Sequence, residues 1–510
     1  MSLDAHIFDP GELRQILEEQ ILPRYISGCR WFGGKARAAR KFTISDLWRL
    51  PDAAEDARLA LVRIEYDEGA SDLYQLPLQL TYGADADRLA AEFPQAVIAR
   101  GNGVLLFDAL YDPAFRDALV SLIATGGSAH NSSGALSGLA GKALPRLLGG
   151  RVPPLPSRVL KVEQSNSAVI YGDGLFLKIF RKVAEGVNPD AEILRFLTER
   201  RNFAHAPAFG GELEFCAPGR EAQVLALGIG IVQNDGDAWS FVLRELGGFY
   251  HRVGTAECSV TAVQSAIGSD FLARISQLGR RTGEMHVALA GDTDDPDFTP
   301  EPFTRVDREE LSAKLEESVS RVFTMLRTLT LSQDLQSNLD RLLSLEPVLR
   351  VSATALSTRE IAAMKTRHHG DYHLGQVLNT GTDFTIIDFE GEPSRPLAER
   401  RRKRSPLRDV AGMLRSFHYA AHTALTTHRK QHATSGQLAE AWSRVVSEAF
   451  LGAWGEATAG VPLVPRDSIA FDDLLAAFLV EKALYEIEYE LNNRPDWLAI
   501  PVGGLLDILG

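Results

Sequence analysis

Cysteine is scarce in this chain: three residues in 510, Cys29, Cys216 and Cys258. Far apart and odd in number, they offer neither a disulfide framework nor the paired spacing of a zinc site. No apolar run is long enough to cross a bilayer. The N-terminus carries Asp4 and Asp9 and lacks the hydrophobic stretch of a signal peptide, so a cytoplasmic protein with no membrane partner is expected. Positive charge is in deficit. Lys and Arg number 54 against 67 Asp and Glu, a net charge of -13, which argues against a nucleic-acid partner whose phosphates must be neutralised. The one basic run, Arg400 to Arg404, stands beside Glu399 and reads as a solvated or substrate-lining loop. No segment repeats at a fixed period, which excludes a solenoid. A P-loop is missing too: around Gly138, Gly141 and Lys142 the glycine spacing fails and Ala143 stands where Ser or Thr is required. Residues 125 to 142, dense in Gly, Ser and Ala, read as a flexible surface loop.

What is present is ordinary for a globular protein of two or three domains, with 45% apolar and 24% charged residues. Asp9-Pro10 reads as the cap of a helix whose Leu13, Ile16, Leu17 and Ile21 share one face. Trp31 and Phe32 read as core, and Gly33-Gly34 as a turn. Val62, Ile64 and Tyr66 alternate with Arg63 and Glu65 as a half-buried strand, and Tyr74 to Leu78 makes a second. Strands are expected over Val159 to Glu163, Ala168 to Tyr171 and Leu175 to Phe180, then a helix from Pro189 and a strand from Val224 to Gln233. Beyond Trp239 the chain turns helical. Ile275, Leu278, Thr282, Met285, His286 and Leu289 form one face, with His286 read as a satisfied core histidine.

The stretch that carries chemistry runs from Arg367 to Pro393. Its first half is a polar loop holding Asp371 and Gln376 five positions apart. Its second half is a short apolar run, Phe384 to Ile387, that reads as a buried strand delivering Asp388 at its end. Two carboxylates and an amide suit metal-assisted phosphoryl transfer. One Asp accepts the proton of the attacking hydroxyl, while an amide and the second Asp hold Mg2+ against the phosphates. Such ligands must be hard oxygens, which Gln and Asp supply. Either half alone could be a turn or a strand end; both together, in this order and spacing, point to a site.

These residues resemble the catalytic loop and metal-binding strand of the aminoglycoside-phosphotransferase branch of the protein-kinase-like superfamily, which writes His-Gly-Asp-x-His-x-x-Asn and Asp-Phe-Gly. Here Gln376 replaces the Asn, and Asp388-Phe389-Glu390 replaces Asp-Phe-Gly. With Gly391-Glu392-Pro393, the run from Ser405 to Ser416, Trp31-Phe-Gly-Gly-Lys35 and Tyr74-Gln-Leu-Pro-Leu78, this resembles the bacterial maltokinases and the closely related glucosamine kinases. His418 departs from the Asp of the usual Ser-Phe-Asp-Tyr.

The resemblance implies an α+β, protein-kinase-like two-lobe fold: a mixed β small lobe and a mainly α large lobe behind an N-terminal α/β cap. The expected division is 1–98, 99–235 and 236–510. It further implies ATP and Mg2+ as cofactors and phosphorylation of maltose to maltose 1-phosphate, with trehalose synthase and a maltosyltransferase as pathway partners. The alternatives are glucosamine 6-phosphorylation and a catalytically degenerate binding module.

Asp371 is then the catalytic base, and Gln376 and Asp388 are the metal ligands. Lys178 would steady the nucleotide phosphates and Glu192 would hold Lys178 extended. Ser165, Asn166 and Ser167 stand in for a glycine-rich loop, and adenine would meet the backbone near Ile231 and Val232. Asp409 and His369 would support the catalytic loop. Sugar contacts are expected from Glu390, His373 and Arg408, and from Tyr485, Glu486, Tyr489 and Glu490, whose aromatic and acidic i,i+4 pairs suit sugar rings and hydroxyls.

Overall fold

The computed structural model describes residues 3–160, 165–253, 260–291, 294–329, 333–428 and 435–510. The chain divides into two compact units, residues 1–200 with 207–231, and residues 201–206 with 232–510.

The first unit holds two antiparallel sheets. One is built from β1 (Ala39–Trp48), β2 (Ala57–Tyr66), β3 (Asp72–Tyr82), β4 (Val97–Gly101) and β5 (Val104–Asp108), in the order β1-β2-β3-β5-β4. Residue 98 therefore lies inside a strand, and the first sheet runs on to Asp108. The second sheet contains β6 (Ser128–His130), β7 (Ala135–Ala140), β8 (Ser157–Leu160), β9 (Ser167–Tyr171) and β10 (Leu175–Ile179). The short β11 (Lys182–Val183) pairs with β3 of the first sheet, while β12 (Phe209–Cys216) and β13 (Gln223–Gly230) complete the second in the order β6-β7-β12-β13-β10-β9-β8.

The two-residue period of a strand explains how the sheets share a core. On β2, Leu59 and Leu61 enter a cluster with Trp48, Phe115, Leu119, Leu177, Leu213 and Phe215, drawn from both sheets and the helix Pro113–Thr125. Ala60, Val62 and Ile64 point the other way, against Leu17, Leu22 and Ile26 of the N-terminal helices. The half-buried alternation expected over Val62 to Tyr66 holds, with Val62, Ile64 and Tyr66 buried and Arg63 and Glu65 partly exposed. Trp31 and Phe32 pack on Tyr74 at 5.8 and 5.5 Å between ring centroids, and Gly33 donates its N–H to the Tyr74 hydroxyl, as the core-and-turn reading requires. Gln75 ties the first sheet to the second: its buried amide donates to the carbonyls of Phe180 and Leu225.

Two expectations change. Residues 125 to 142 are no loose loop, because they supply β6 and β7. Their small residues let β7 lie against the Pro113–Thr125 helix so closely that a Cβ at Gly138 would collide with the Leu122 carbonyl oxygen. The first helix starts at Glu12 after Gly11, while Asp9 pairs with His6. Residues 161 to 163 of the strand expected from Val159 lie outside the described residues, as does Cys258.

The second unit is mainly helical. Its major helices include Ala238–Val253, Ser269–Leu289, Arg305–Leu326, Leu407–His428, Ser435–Thr458, Ser468–Asn493 and Ala499–Leu509. Two small hairpins accompany them: β14 (Glu301–Pro302) with β15 (Met364–Lys365), and β16 (Val377–Asn379) with β17 (Phe384–Ile386). Ile275, Leu278, Thr282, Met285, His286 and Leu289 are all buried along one helix face, as their spacing implies. No described helix is long and apolar enough to cross a membrane.

Candidate active site

The register of the β16–β17 hairpin brings the two expected metal ligands together. Val377 pairs with Ile386, and the Ile387 N–H continues the ladder to the Gln376 carbonyl at 3.0 Å. One residue on, Asp388 adopts φ +66°, a left-handed conformation that costs a non-glycine residue about 1–2 kcal/mol and is tolerated where the surroundings enforce it. The result places Gln376 Nε2 3.3 Å from Asp388 Oδ2. An amide, whose oxygen takes the place of its nitrogen on rotation, and a carboxylate form a hard donor pair, and Mg2+ is typically held by one or two carboxylates while keeping several waters. The donor set therefore fits Mg2+.

Asp371 lies in the loop before the hairpin, and that loop is fastened by Asp409. Asp409 Oδ2 accepts from the His369 N–H at 2.7 Å and Oδ1 from the Gly370 N–H at 2.9 Å. His286 Nε2 lies 3.1 Å from Asp409 Oδ2, while its Nδ1 accepts from Trp454 Nε1 at 2.9 Å; the imidazole proton is therefore assigned to Nε2, facing the carboxylate. His286 is thus a satisfied core histidine that braces the loop from behind. Burial raises the Asp409 carboxyl, but His368, His286 and His369 outweigh it and hold the group far below the usual carboxylate range. Further along the same helix, the Ser416 hydroxyl accepts from the Leu374 N–H at 3.1 Å. Gly412 lets the helix approach the loop: a Cβ there would sit 2.5 Å from the Tyr372 carbonyl oxygen.

His369 Nε2 lies 2.9 Å from the Ile387 carbonyl oxygen, so this imidazole links the loop to the hairpin. His373 Nδ1 accepts from the Gly375 N–H at 3.0 Å, and its Nε2 stands 3.9 Å from Asp371 Oδ2. Burial lowers the His373 pKa. Lys482 Nζ lies 3.5 Å from Asp371 Oδ1. Burial pushes the Asp371 carboxyl up, yet Lys482, His373 and His369 together bring it below its ordinary value.

Around Asp371 lies a hollow lined by Glu392, Arg395, Arg408, Glu481, Lys482 and Tyr485. Glu481 is its charge hub: Arg408 Nε lies 3.5 Å from one carboxylate oxygen, and Lys314 and Arg395 each lie 3.7 Å from the other. Burial and the neighbouring Glu392 and Asp371 carboxylates raise the Tyr485 hydroxyl.

The helix Ser468–Asn493 separates the four sugar-contact candidates. Tyr485 reaches the hollow, and Tyr489, 43% exposed, stacks near it with ring centroids 6.3 Å apart. Glu486 and Glu490 turn inward. Glu486 takes two bonds from Arg415 at 3.0 and 2.7 Å, and Glu490 binds Tyr419 and Arg494. On this helix the acidic residue that borders the hollow is instead Glu481. Lys482, Tyr485 and Tyr489 fall at i, i+3 and i+7, so Lys482 was accessible to helical periodicity once the tyrosines were chosen. Glu390 is half-buried, and its carbonyl accepts from Arg400 Nη1 at 3.1 Å. The basic run is neutralised locally, with Arg402 on Glu310 and Lys403 on Glu301.

In the first unit, Lys178 lies on β10, buried between β9 and β13, with Nζ 3.0 Å from Asp190 Oδ2. Asp190 and Glu192 are both buried on the helix Pro189–Arg195, capped by Asn188. Asp190 escaped the sequence reading because it stands only two residues from Glu192. Ser165 is exposed and Asn166 half-buried ahead of β9, whereas the Ser167 hydroxyl accepts from Arg181 Nε at 2.8 Å. Ile231 donates its N–H to the Gly174 carbonyl at 2.9 Å. The Val232 carbonyl, in the second unit, accepts from Asn234 Nδ2 at 2.8 Å.

Known proteins resemble this chain in sequence and in fold. Residues 25–112 match the family model described as the maltokinase N-terminal cap domain. A glucosamine kinase of Streptacidiphilus jiangxiensis is 24% identical over 366 residues, 71% of this chain and 75% of that protein. A glucosamine kinase of Mycolicibacterium smegmatis is 26% identical over 354 residues, 69% of this chain and 79% of that protein. A solved glucosamine kinase in complex with glucosamine, ADP and inorganic phosphate shares the fold, with a TM-score of 0.66 over 96% of this chain and 99% of that one at 18% identity.

Proposed function

We propose that this chain, a kinase-fold protein with a maltokinase-type N-terminal cap and glucosamine kinases among its relatives, is an ATP-dependent sugar kinase. The observation that carries the reading is the Asp371 loop, clamped by Asp409 and set beside the Gln376–Asp388 pair.

Asp371 orients the acceptor hydroxyl and receives its proton. With its carboxyl held below the ordinary value it is a weak base, so the proton passes only as the new oxygen–phosphorus bond forms and the hydroxyl becomes acidic. Gln376 and Asp388 would hold Mg2+, which when bound neutralises charge on the phosphates. Lys178, held by its carboxylate partner, meets the nucleotide phosphates, and Glu192 supports it. Tyr485, Glu392 and Arg408 supply a ring face and hydrogen-bonding groups to the sugar.

Glucosamine is the acceptor supported first, because two curated relatives carry that name over about 70% of this chain and a solved relative binds it. Maltose is the second reading, favoured by the cap match. The test is ADP release with ATP and Mg2+ against glucosamine, maltose, glucose and an aminoglycoside. Turnover is expected with glucosamine above the rest. Turnover with maltose alone would move the substrate and keep the mechanism. Silence on every sugar with nucleotide still bound would replace the kinase by a binding module.

Lys482 supports a separate prediction. Its ammonium favours the ionised form of Asp371, so Lys482→Met removes a lowering influence and the carboxyl pKa rises. The acid limb of kcat/KM is therefore expected to move to higher pH, with the alkaline side unchanged. A pH profile of the variant superimposable on that of the parent would remove Lys482 from the site.

A further inference from the structure

The residue that departs from the family pattern, His418, lies in an unusual setting on the helix Leu407–His428. It is followed one turn later by His422, so both imidazoles share a face, with ring centroids 4.3 Å apart. Asp507, near the end of the helix Ala499–Leu509, reaches the same place: its Oδ2 lies 3.4 Å from His418 Nε2. Among the described residues this is the one group of three or more His, Cys, Asp or Glu whose ligand atoms all lie within 4.8 Å of one another.

Among the described residues, His418 Nδ1 and Nε2 and His422 Nε2 are buried with no hydrogen bond, and His418 is only 7% exposed. Buried polar atoms are ordinarily satisfied, so three orphaned ring nitrogens in one cluster call for a ligand. The nitrogens without a proton offer lone pairs to such a ligand. Burial, reinforced by Arg415, pushes His422 down to about 4 and His418 well below its usual range, so both rings are neutral near pH 7. Arg415 does not exclude a cation, because its guanidinium is already spent on Glu486.

We propose that His418, His422 and Asp507 form a divalent transition-metal site of the zinc class, which fastens the Leu407–His428 helix to the C-terminal helix. Zinc bonds of about 2.0–2.2 Å place tetrahedral ligands roughly 3.3–3.5 Å apart, which matches the His418–Asp507 separation. Two imidazoles four residues apart on one helix face are a proven zinc-binding spacing. Asp507, 42% exposed at its side chain, gives the ion a route in and leaves a fourth position for water. His418 lies nine residues past Asp409, about 13 Å along the helix axis, so this is a site apart from the one that binds phosphates.

The test uses the full chain, stripped of metal with a chelator and titrated with Co2+ and then Zn2+. One equivalent of Co2+ is expected to develop the visible absorption of a four-coordinate ion, Zn2+ to displace it, and Zn2+ to raise the unfolding temperature. An Asp388→Asn background separates this signal from metal at the phosphate site, and there the signal is expected to persist. His422→Gln and Asp507→Asn, both outside the tightest packing, are expected to abolish it; His418→Ala serves as the third variant. No one-equivalent signal, or one unchanged in His422→Gln and Asp507→Asn but lost in Asp388→Asn, would overturn the proposal.

Discussion

Asp371→Asn is expected to lower kcat for sugar phosphorylation by about 10²–10⁴-fold, the usual worth of a positioned general base. The substitution is isosteric, so the loop should keep its fold, and Asp409 still receives the His369 and Gly370 N–H groups. What changes is the charge beside the acceptor. The amide keeps a hydrogen-bonding oxygen but cannot take a proton, and Lys482 and His373 lose the anion they face. Nucleotide affinity should move little, since the proposed phosphate and metal contacts rest on Lys178, Gln376 and Asp388. Steady-state kinetics with a nucleotide-binding titration checks this. A variant with parental kcat would show that another group takes the proton.

The second large effect is expected at Asp409. Asp409→Ala leaves two backbone N–H groups and the His286 imidazole facing a space where a carboxylate stood. Unsatisfied buried donors cost about 1–3 kcal/mol each, so a loss of roughly 3–5 kcal/mol in stability is expected once partial relaxation is allowed. Denaturant titration reads this as a lower midpoint. The native carboxyl lies below its unfolded value, so its contribution is complete at neutral pH and is lost only as the solution falls through its depressed native pKa, at strong acid. The stability difference between parent and variant should therefore be constant from pH 7 to about pH 5. Activity should fall as well, because Asp371 is carried by the loop that Asp409 holds, and small misplacements are costly. A stable variant with full activity would reduce Asp409 to an ordinary buried acid.

Much of this was legible in the residues in order. The Asp371–Gln376 loop and the short strand ending at Asp388 are local features, encoded by a polar run, four apolar residues and an acid. Their chemistry follows from residue type and spacing. Helix faces were legible for the same reason: periodicity placed Ile275, Leu278, Met285 and His286 on one buried side. The absence of cysteine pairs, long apolar runs and basic excess narrowed the classes before any motif was read.

Other features depended on contacts between residues far apart in the chain. Residues 125 to 142 look like a loop by composition, but small side chains also permit a strand to press on a helix, and only the Pro113–Thr125 helix decides between the two. Periodicity grouped Glu486 with Glu490 but could not say which way that face points; Arg415, 71 residues away, draws it inward and leaves Glu481 at the hollow. Lys482 meets Asp371 across 111 positions, and Asp507 meets His418 across 89. The sequence by itself determined which groups are present and how they are spaced within each element. The tertiary structure decided which of them meet, because that depends on the packing of helices whose order in space no local pattern records.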